Sequence, residues 1–302
     1  MVIGAKRMNK MDSGMISELK KRIQDIGIIP NKRLSQNFLF DTDIAREICD
    51  GIPVEGIDRY VEIGAGLGIL TDIIVERRIP LTIYEKDDRL SIFLKERYKD
   101  YEVEIINEDI LNNLEREILS YDSYIFSNLP YSITSNFFGK LVDIIGYKHD
   151  KIKFSEEFIG STIMVQREFA ERIVSKPNNK KYGNISVKFQ NLFEVAIRLE
   201  VGKNRFYPEP SVNSSVLKFT PKEEFDVPPM DYHIYKKTVD SCFIKRRKML
   251  KNIISADIFN NRIERSDIQN ILEDRGWSKL RPENLTPREF IILSNLISER
   301  IM

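Results

Sequence analysis

The residue best placed for chemistry on a flat, nitrogen-bearing ring is Asn128, which opens the run Asn128-Leu129-Pro130-Tyr131. Its carboxamide carries both a hydrogen-bond donor and an acceptor. Pro130 fixes the backbone and has no N–H, which leaves carbonyls nearby to accept from something other than a strand ladder. Tyr131 offers a flat face on which a second ring can stack. Asn128 and the Pro130 carbonyl would hold an exocyclic amino group from one side, and Tyr131 would hold its ring from another. A buried strand ending in a proline turn would look the same, so the weight falls on what else the chain provides.

Three further groups have suitable types and spacing. Gly64, Gly66 and Gly68 follow the apolar run Tyr60-Val61-Glu62-Ile63, and glycine there lets backbone approach a ligand where a Cβ would clash. Glu85 stands about 20 residues beyond Gly64, the spacing at which an acid accepts from both hydroxyls of a ribose. Asp109 is placed to accept from an adenine amino group. A dinucleotide fingerprint needs glycine at position 69, where Ile69 stands. A dehydrogenase is therefore disfavoured. The observed G-x-G-x-G behind Glu62 is the pattern of enzymes using S-adenosylmethionine, which has no pyrophosphate to seat on a helix N-terminus. With His149 and His233 as the only histidines, both among polar residues, a histidine base is not expected.

Strands and helices must alternate to place these groups together. Strands are expected at Tyr60–Ile63, Leu81–Tyr84, Val103–Ile106, Tyr124–Phe126 leading into Asn128, Ile159–Val165, Phe193–Val201 and Ser215–Phe219. Helices are expected near Leu70–Arg77, Leu90–Tyr98 and Arg167–Val174. That alternation predicts right-handed βαβ units in a doubly wound, mostly parallel, seven-stranded sheet, with ligands outside the carboxyl ends of the strands. An N-terminal extension, 1–30, is expected to be irregular over residues 1–14 and then to carry one helix with Ile16, Leu19, Ile23 and Ile26 on one face. The sheet domain takes 31–222. Pro228-Pro229 reads as a linker, and 228–302 as a smaller helical domain.

No run of about 18 apolar residues suggests a membrane span, and no secretory signal is read at the start. Cys49 and Cys242 are far apart and form no CxxC pair, so neither a disulfide framework nor a metal site is expected. A cytoplasmic setting follows as an expectation. Net charge is only +1, but residues 1–40 hold eight Lys or Arg against three acids. Lys245-Arg246-Arg247-Lys248, with Lys251 close by, adds a basic cluster suited either to a solvated helix face or to phosphates.

Taken together, the motifs resemble the ribosomal RNA adenine dimethyltransferases of the KsgA type. The likeness runs from about Lys32 to Lys251. It rests on Ser35-Gln36-Asn37-Phe38-Leu39, Glu62-Ile63-Gly64-Ala65-Gly66, Glu85-Lys86-Asp87, Asn128-Leu129-Pro130-Tyr131, Gln166-Arg167-Glu168, Tyr182-Gly183, Phe206-Tyr207-Pro208-Glu209-Pro210 and Arg246-Arg247-Lys248. The helix before Pro30 resembles archaeal members. The resemblance implies a class I, Rossmann-like methyltransferase that twice methylates N6 of two adjacent adenosines near the 3′ end of small-subunit rRNA during ribosome biogenesis. It places Asn37, Leu39, Gly64, Gly66, Glu85, Asp109 and Asn128 at S-adenosylmethionine. Asn128, Pro130 and Tyr131 would be catalytic, with Tyr131 and Phe206 against the base; Phe126 is a further candidate for the wall or for the core. Lys245, Arg246, Arg247 and Lys248 would contact RNA of a 30S-type particle, and the enzyme would act as a monomer. Ser35 stands where the family usually has glycine, and Asn213 where it usually has aspartate. Rival readings are an Erm-type methyltransferase of large-subunit rRNA and a non-catalytic assembly or transcription factor on the same fold.

Overall fold

A computed structural model describes residues 14–301, except 15, 18, 22, 32, 33, 35, 120, 121, 150–157 and 223–226. Expectations for residues 1–13, Lys32, Arg33, Ser35 and the His149 side chain lie outside the described residues. Nine strands are assigned among the described residues: β1 Phe38–Leu39, β2 Arg59–Ile63, β3 Leu81–Tyr84, β4 Val103–Ile106, β5 Ser123–Asn128, β6 Phe158–Gln166, β7 Phe193–Val201, β8 Phe206–Tyr207 and β9 Ser214–Pro221. Seven of them form one sheet in the order β4-β3-β2-β5-β6-β9-β7.

The order follows from the residues. Strands β2, β3 and β5 are buried along nearly their whole length, as strands covered on both faces must be, while β4 and β7 at the edges are mostly half-buried or exposed. Pairing is parallel from β4 to β6 and turns antiparallel at β6–β9. The chain winds outward from β2 through β3 to β4, then returns to lay β5 on the other side of β2. The point where winding reverses lies between β2 and β5. A crevice must open there, outside their carboxyl ends.

Helices connect these strands. The first, α1, has its described helical residues at 14, 16, 17, 19–21 and 23–25. Its Leu19 and Ile23 are buried with Phe38, Leu67 and Leu90, as the expected apolar face requires. Then come α2 Thr42–Asp50, α3 Thr71–Ile74, α4 Asp88–Arg97, α5 Ile110–Leu119, α6 Thr134–His149, α7 Arg167–Ile173, α8 Asn184–Leu192, α9 Tyr232–Ile244, α10 Arg265–Asp274 and α11 Pro287–Ile301. The sequence does not announce α6 or α8. Gly139 and Gly146 lie inside α6, and α8 is rich in Asn and Ser, so local propensity is poor and packing decides.

The described residues fall into two compact units, one within 1–138, 156–170 and 196–219, the other within 139–155, 171–195 and 220–302. Within the second, Asn191 donates to the Tyr235 hydroxyl and the Tyr182 hydroxyl donates to the Leu285 carbonyl, so α8 is bonded directly into the C-terminal helices. Asn295 accepts from Met230 N–H and donates to the Pro228 carbonyl, which pins the Pro228-Pro229 segment to α11.

Helix α6 supplies a paired test of packing. A Cβ on Gly146 would stand 2.0 Å from the Tyr232 ring, whereas one on Gly139 would meet nothing within 4 Å. Gly146→Ala should therefore destabilise by about 1–3 kcal/mol through overpacking. Gly139→Ala should be neutral or stabilising by about 0.5–1 kcal/mol. Urea melts of the two variants check this, and equal midpoints would refute the packing described.

Candidate active site

Four strand ends and the loop before β1 line a single cavity of about 300 Å³. Gly64 and Gly66 follow β2, Glu85 follows β3, Asp109 follows β4, and Asn128 ends β5. Asn37 and Leu39 face the same space, as do Pro130 and Tyr131. All seven residues expected at the cofactor are thus gathered in one place, together with the three expected to be catalytic.

The glycine turn explains itself through the backbone. Gly66 has φ +58°, and a Cβ there would come within 3.0 Å of the Phe38 ring; Gly68 has φ +83°, and a Cβ would lie 2.1 Å from the Tyr98 hydroxyl. Glu85 is 6% exposed. Its Oε2 accepts from the Gly66 N–H at 3.3 Å and its Oε1 from the Asp87 N–H at 2.9 Å. Both oxygens are therefore oriented, and each keeps a lone pair for a ligand. Asp109 accepts from Leu111 N–H at the start of α5 and pairs with Lys86 at 3.0 Å. Asp87 caps α4 and accepts from Gln36 Nε2 at 2.9 Å. That bond ties the loop before β1 to the end of β3.

Asn128 is set by its neighbour across the cavity. Its Nδ2 donates to the Asn37 carbonyl at 3.1 Å. A backbone carbonyl can only accept, so the amide nitrogen must face Asn37, and Oδ1 is left as an acceptor. The Tyr131 hydroxyl bonds the Ser214 hydroxyl at 2.7 Å, which fixes the ring on the wall.

Three expected roles need correction. The Pro130 carbonyl accepts from the Ile133 N–H at 3.1 Å and from the Thr134 hydroxyl at 3.3 Å, so both its lone pairs close the turn into α6. Phe206 is 3% exposed and packs in the core, and Phe126, fully buried, meets Tyr60 edge to face. Neither lines the cavity; Phe38 does, a role that no sequence pattern signals. Arg246 is not a free cation either. Its guanidinium bonds Glu283 and the carbonyls of Asn179 and Lys180. Lys245, Arg247 and Lys248 are exposed. Asn213 accepts from Lys203 N–H through its side-chain oxygen, which an aspartate would do equally well.

Burial raises the carboxyls that lie nearest the glycine turn. Glu85 is pushed up to about 7, opposed by the N–H bonds of Asp87 and Gly66. Glu62 is pushed up to about 8, opposed by the Thr71 hydroxyl at 2.5 Å. Asp87 goes the other way, to about 2, chiefly through its bond to Arg89. Acids with raised folded-state values bind protons more tightly when folded, so their stability contribution is full below the unfolded pKa near 4.5 and is lost as pH rises through about 7 to 8. Asp87 contributes above its unfolded value and matters only in strong acid. The ligand-free chain should lose stability between about pH 5 and 8. Glu62→Gln should flatten the upper part of that fall in urea melts; a wild-type profile flat over this window would contradict the burial.

A doubly wound sheet with an acid, a glycine turn and an amide around its switch point defines a nucleoside-cofactor enzyme of the methyltransferase class. The family model for ribosomal RNA adenine dimethylase matches residues 29–293. The chain belongs to that family. It is 33% identical over 300 residues to the ribosomal RNA small subunit methyltransferase A of Borreliella burgdorferi (strain ZS7), covering 99% of each chain. That match takes in the N-terminal helix, so the likeness of this helix to archaeal members is not distinctive. In structure it is similar to a dimethyladenosine transferase from Plasmodium falciparum, with TM-score 0.72, 21% identity and coverage of 87% and 98%. It is also similar to the 23S rRNA methyltransferase ErmE, with TM-score 0.62, 22% identity and coverage of 87% and 100%. Both likenesses are of fold. No helix among the described residues is long and apolar enough to cross a membrane.

Proposed function

We propose that this protein is an S-adenosylmethionine-dependent enzyme that dimethylates N6 of two adjacent adenosines near the 3′ end of small-subunit rRNA. The observation that carries the reading is the orientation of Asn128, whose amide oxygen is left as an acceptor in the same cavity as Glu85. The full-length identity to a relative named for the small subunit favours that particle over the large one. Methyl transfer is assigned to 31–222, apart from the 171–195 segment that packs in one unit with the C-terminal helices, and RNA recognition to 228–302, with 1–30 as an extension. The enzyme works in the cytoplasm as a monomer on a 30S-type particle.

The cavity fits the cofactor by the chemistry of its donors and acceptors. Glu85 would hold a ribose diol, Asp109 an adenine amino group, and Gly64, Gly66, Asn37 and Leu39 would let the rest of the molecule lie close. When bound, S-adenosylmethionine supplies a methyl on a sulfonium, open to attack by a neutral amine. The N6 lone pair is delocalised into the purine ring and attacks poorly. Asn128 Oδ1 accepts one N–H and favours a pyramidal nitrogen. Since the Pro130 carbonyl is engaged, the second acceptor is the Leu129 carbonyl, which accepts from no N–H among the described residues. Tyr131 stacks on the base, which must leave its own stack to enter. Positioning supplies most of the acceleration, and the amine proton leaves after transfer without a dedicated base.

Labelled S-adenosylmethionine incubated with separated, undermethylated ribosomal subunits tests the proposal. Label recovered as N6,N6-dimethyladenine in the small-subunit RNA supports it. Label in large-subunit RNA selects the Erm-type rival, and absence of label overturns the enzymatic reading.

A further inference from the structure

The loop of residues 176–181 carries no motif in its sequence, yet it is built into the basic turn at 245–248 from several sides. Arg246 Nη2 and Nη1 donate to the carbonyls of Asn179 and Lys180 at 3.0 and 2.8 Å, and Nε to Glu283 at 2.8 Å. Asn178 N–H donates to the Glu283 carbonyl at 2.8 Å, and Asn284 Nδ2 to Asn178 Oδ1 at 2.7 Å. Leu250 N–H donates to the Leu280 carbonyl, which joins the segment after the turn to the same neighbourhood. One guanidinium thus gathers a loop, a turn and the 282–284 segment.

The cations brought together differ in what they do. Lys181 pairs with Glu171, and Lys245 lies in the field of Asp257. Lys176, Lys180, Arg247 and Lys248 are exposed and form no ion pair among the described residues. Among the described residues no carboxylate pairs with these four exposed cations, so their charge is left to solvent or to an anionic partner. The two carbonyls and the carboxylate are met by three different nitrogens of one planar guanidinium, a spread that the single nitrogen of a lysine ammonium does not reproduce.

Building on the rRNA-modifying reading, we propose that Lys176 and Lys180 extend the RNA-binding face as phosphate contacts. Arg246 is the positioning residue that brings their loop beside Lys245, Arg247 and Lys248. The partner is the phosphate backbone of structured RNA, which multiple fixed cations recognise through counterion release.

The test measures binding of the full-length protein to undermethylated small ribosomal subunits across a salt series. Lys176→Gln with Lys180→Gln should reduce the slope of log K against log salt by about 2, roughly one for each phosphate no longer neutralised. Arg246→Lys keeps the charge but not the geometry; it should also flatten the slope and quicken amide exchange at Asn178. A steep wild-type slope that the double lysine variant leaves unchanged overturns the inference while the proposed function stands. An Arg246→Lys protein with wild-type slope and wild-type exchange makes Arg246 an ordinary cation and overturns its positioning role. No salt-dependent binding by the wild type removes the functional reading and the inference with it. The lysine pair is exposed, so its result does not depend on how well Arg246→Lys folds.

Discussion

Asn128→Ala is expected to lower kcat by about 10²–10³-fold, the drop that follows when one preorganised polar group facing the reacting nitrogen is removed. The KM for the RNA particle changes far less, since the interaction strengthens as nitrogen becomes pyramidal. Asn128→Asp is the sharper test. It keeps an acceptor oxygen but cannot donate to the Asn37 carbonyl, which would then face a carboxylate oxygen at the present 3.1 Å. Activity should fall at least as far as in the alanine variant, because orientation is lost as well as the acceptor's proper placement. Circular dichroism of both variants establishes that they are folded. Wild-type turnover by folded Asn128→Ala would remove the mechanism.

The same acceptor pair bears on how the reaction repeats. In the proposed arrangement unmodified N6, with its two N–H groups, would engage both Asn128 Oδ1 and the Leu129 carbonyl. After one methylation a single N–H remains, and one acceptor must face a methyl group. The second transfer then rests on one hydrogen bond and on the stacking of Tyr131, whose ring is fixed through Ser214. On that proposal Tyr131 would bear more of the second step than of the first.

Much of this site was legible in the sequence because each strand ends in a residue type that its position demands. Apolar runs stop at a left-handed glycine, at Glu85, at Asp109 and at Asn128, and a parallel sheet collects such ends on one edge. What stayed hidden was carried by backbone. The Asn37 carbonyl orients Asn128, and the Pro130 carbonyl is closed off by Ile133 and Thr134, yet neither is visible in a residue's identity. Phe206 and Phe38 lie on adjoining strands, paired through Tyr207 and Leu39, and only the pairing decides which ring is core and which is wall. Arg246 read as one cation among four; its three partners come from residues about 40 to 70 positions away, a separation that local pattern does not register.

Glu85→Ala is expected to weaken S-adenosylmethionine binding by about 10²-fold. Two hydroxyls lose a charged acceptor, each such bond being worth about 1.5–3 kcal/mol, and partial rescue by water keeps the total near the lower bound. The variant also leaves the Gly66 and Asp87 N–H groups without their carboxylate, so the glycine turn loses a support. Glu85→Gln separates these effects, since its amide oxygen restores one acceptor. The pH dependence gives a further discriminator. With Glu85 raised to about 7, acid below that value fills the carboxylate with a proton that binding must expel. Affinity should rise toward about tenfold per pH unit on the acid side and level off above neutrality. Calorimetry of the wild type and Glu85→Gln reads this directly. The glutamine variant should bind weakly but evenly across pH, and the same pH dependence in both proteins would place the ribose contact elsewhere.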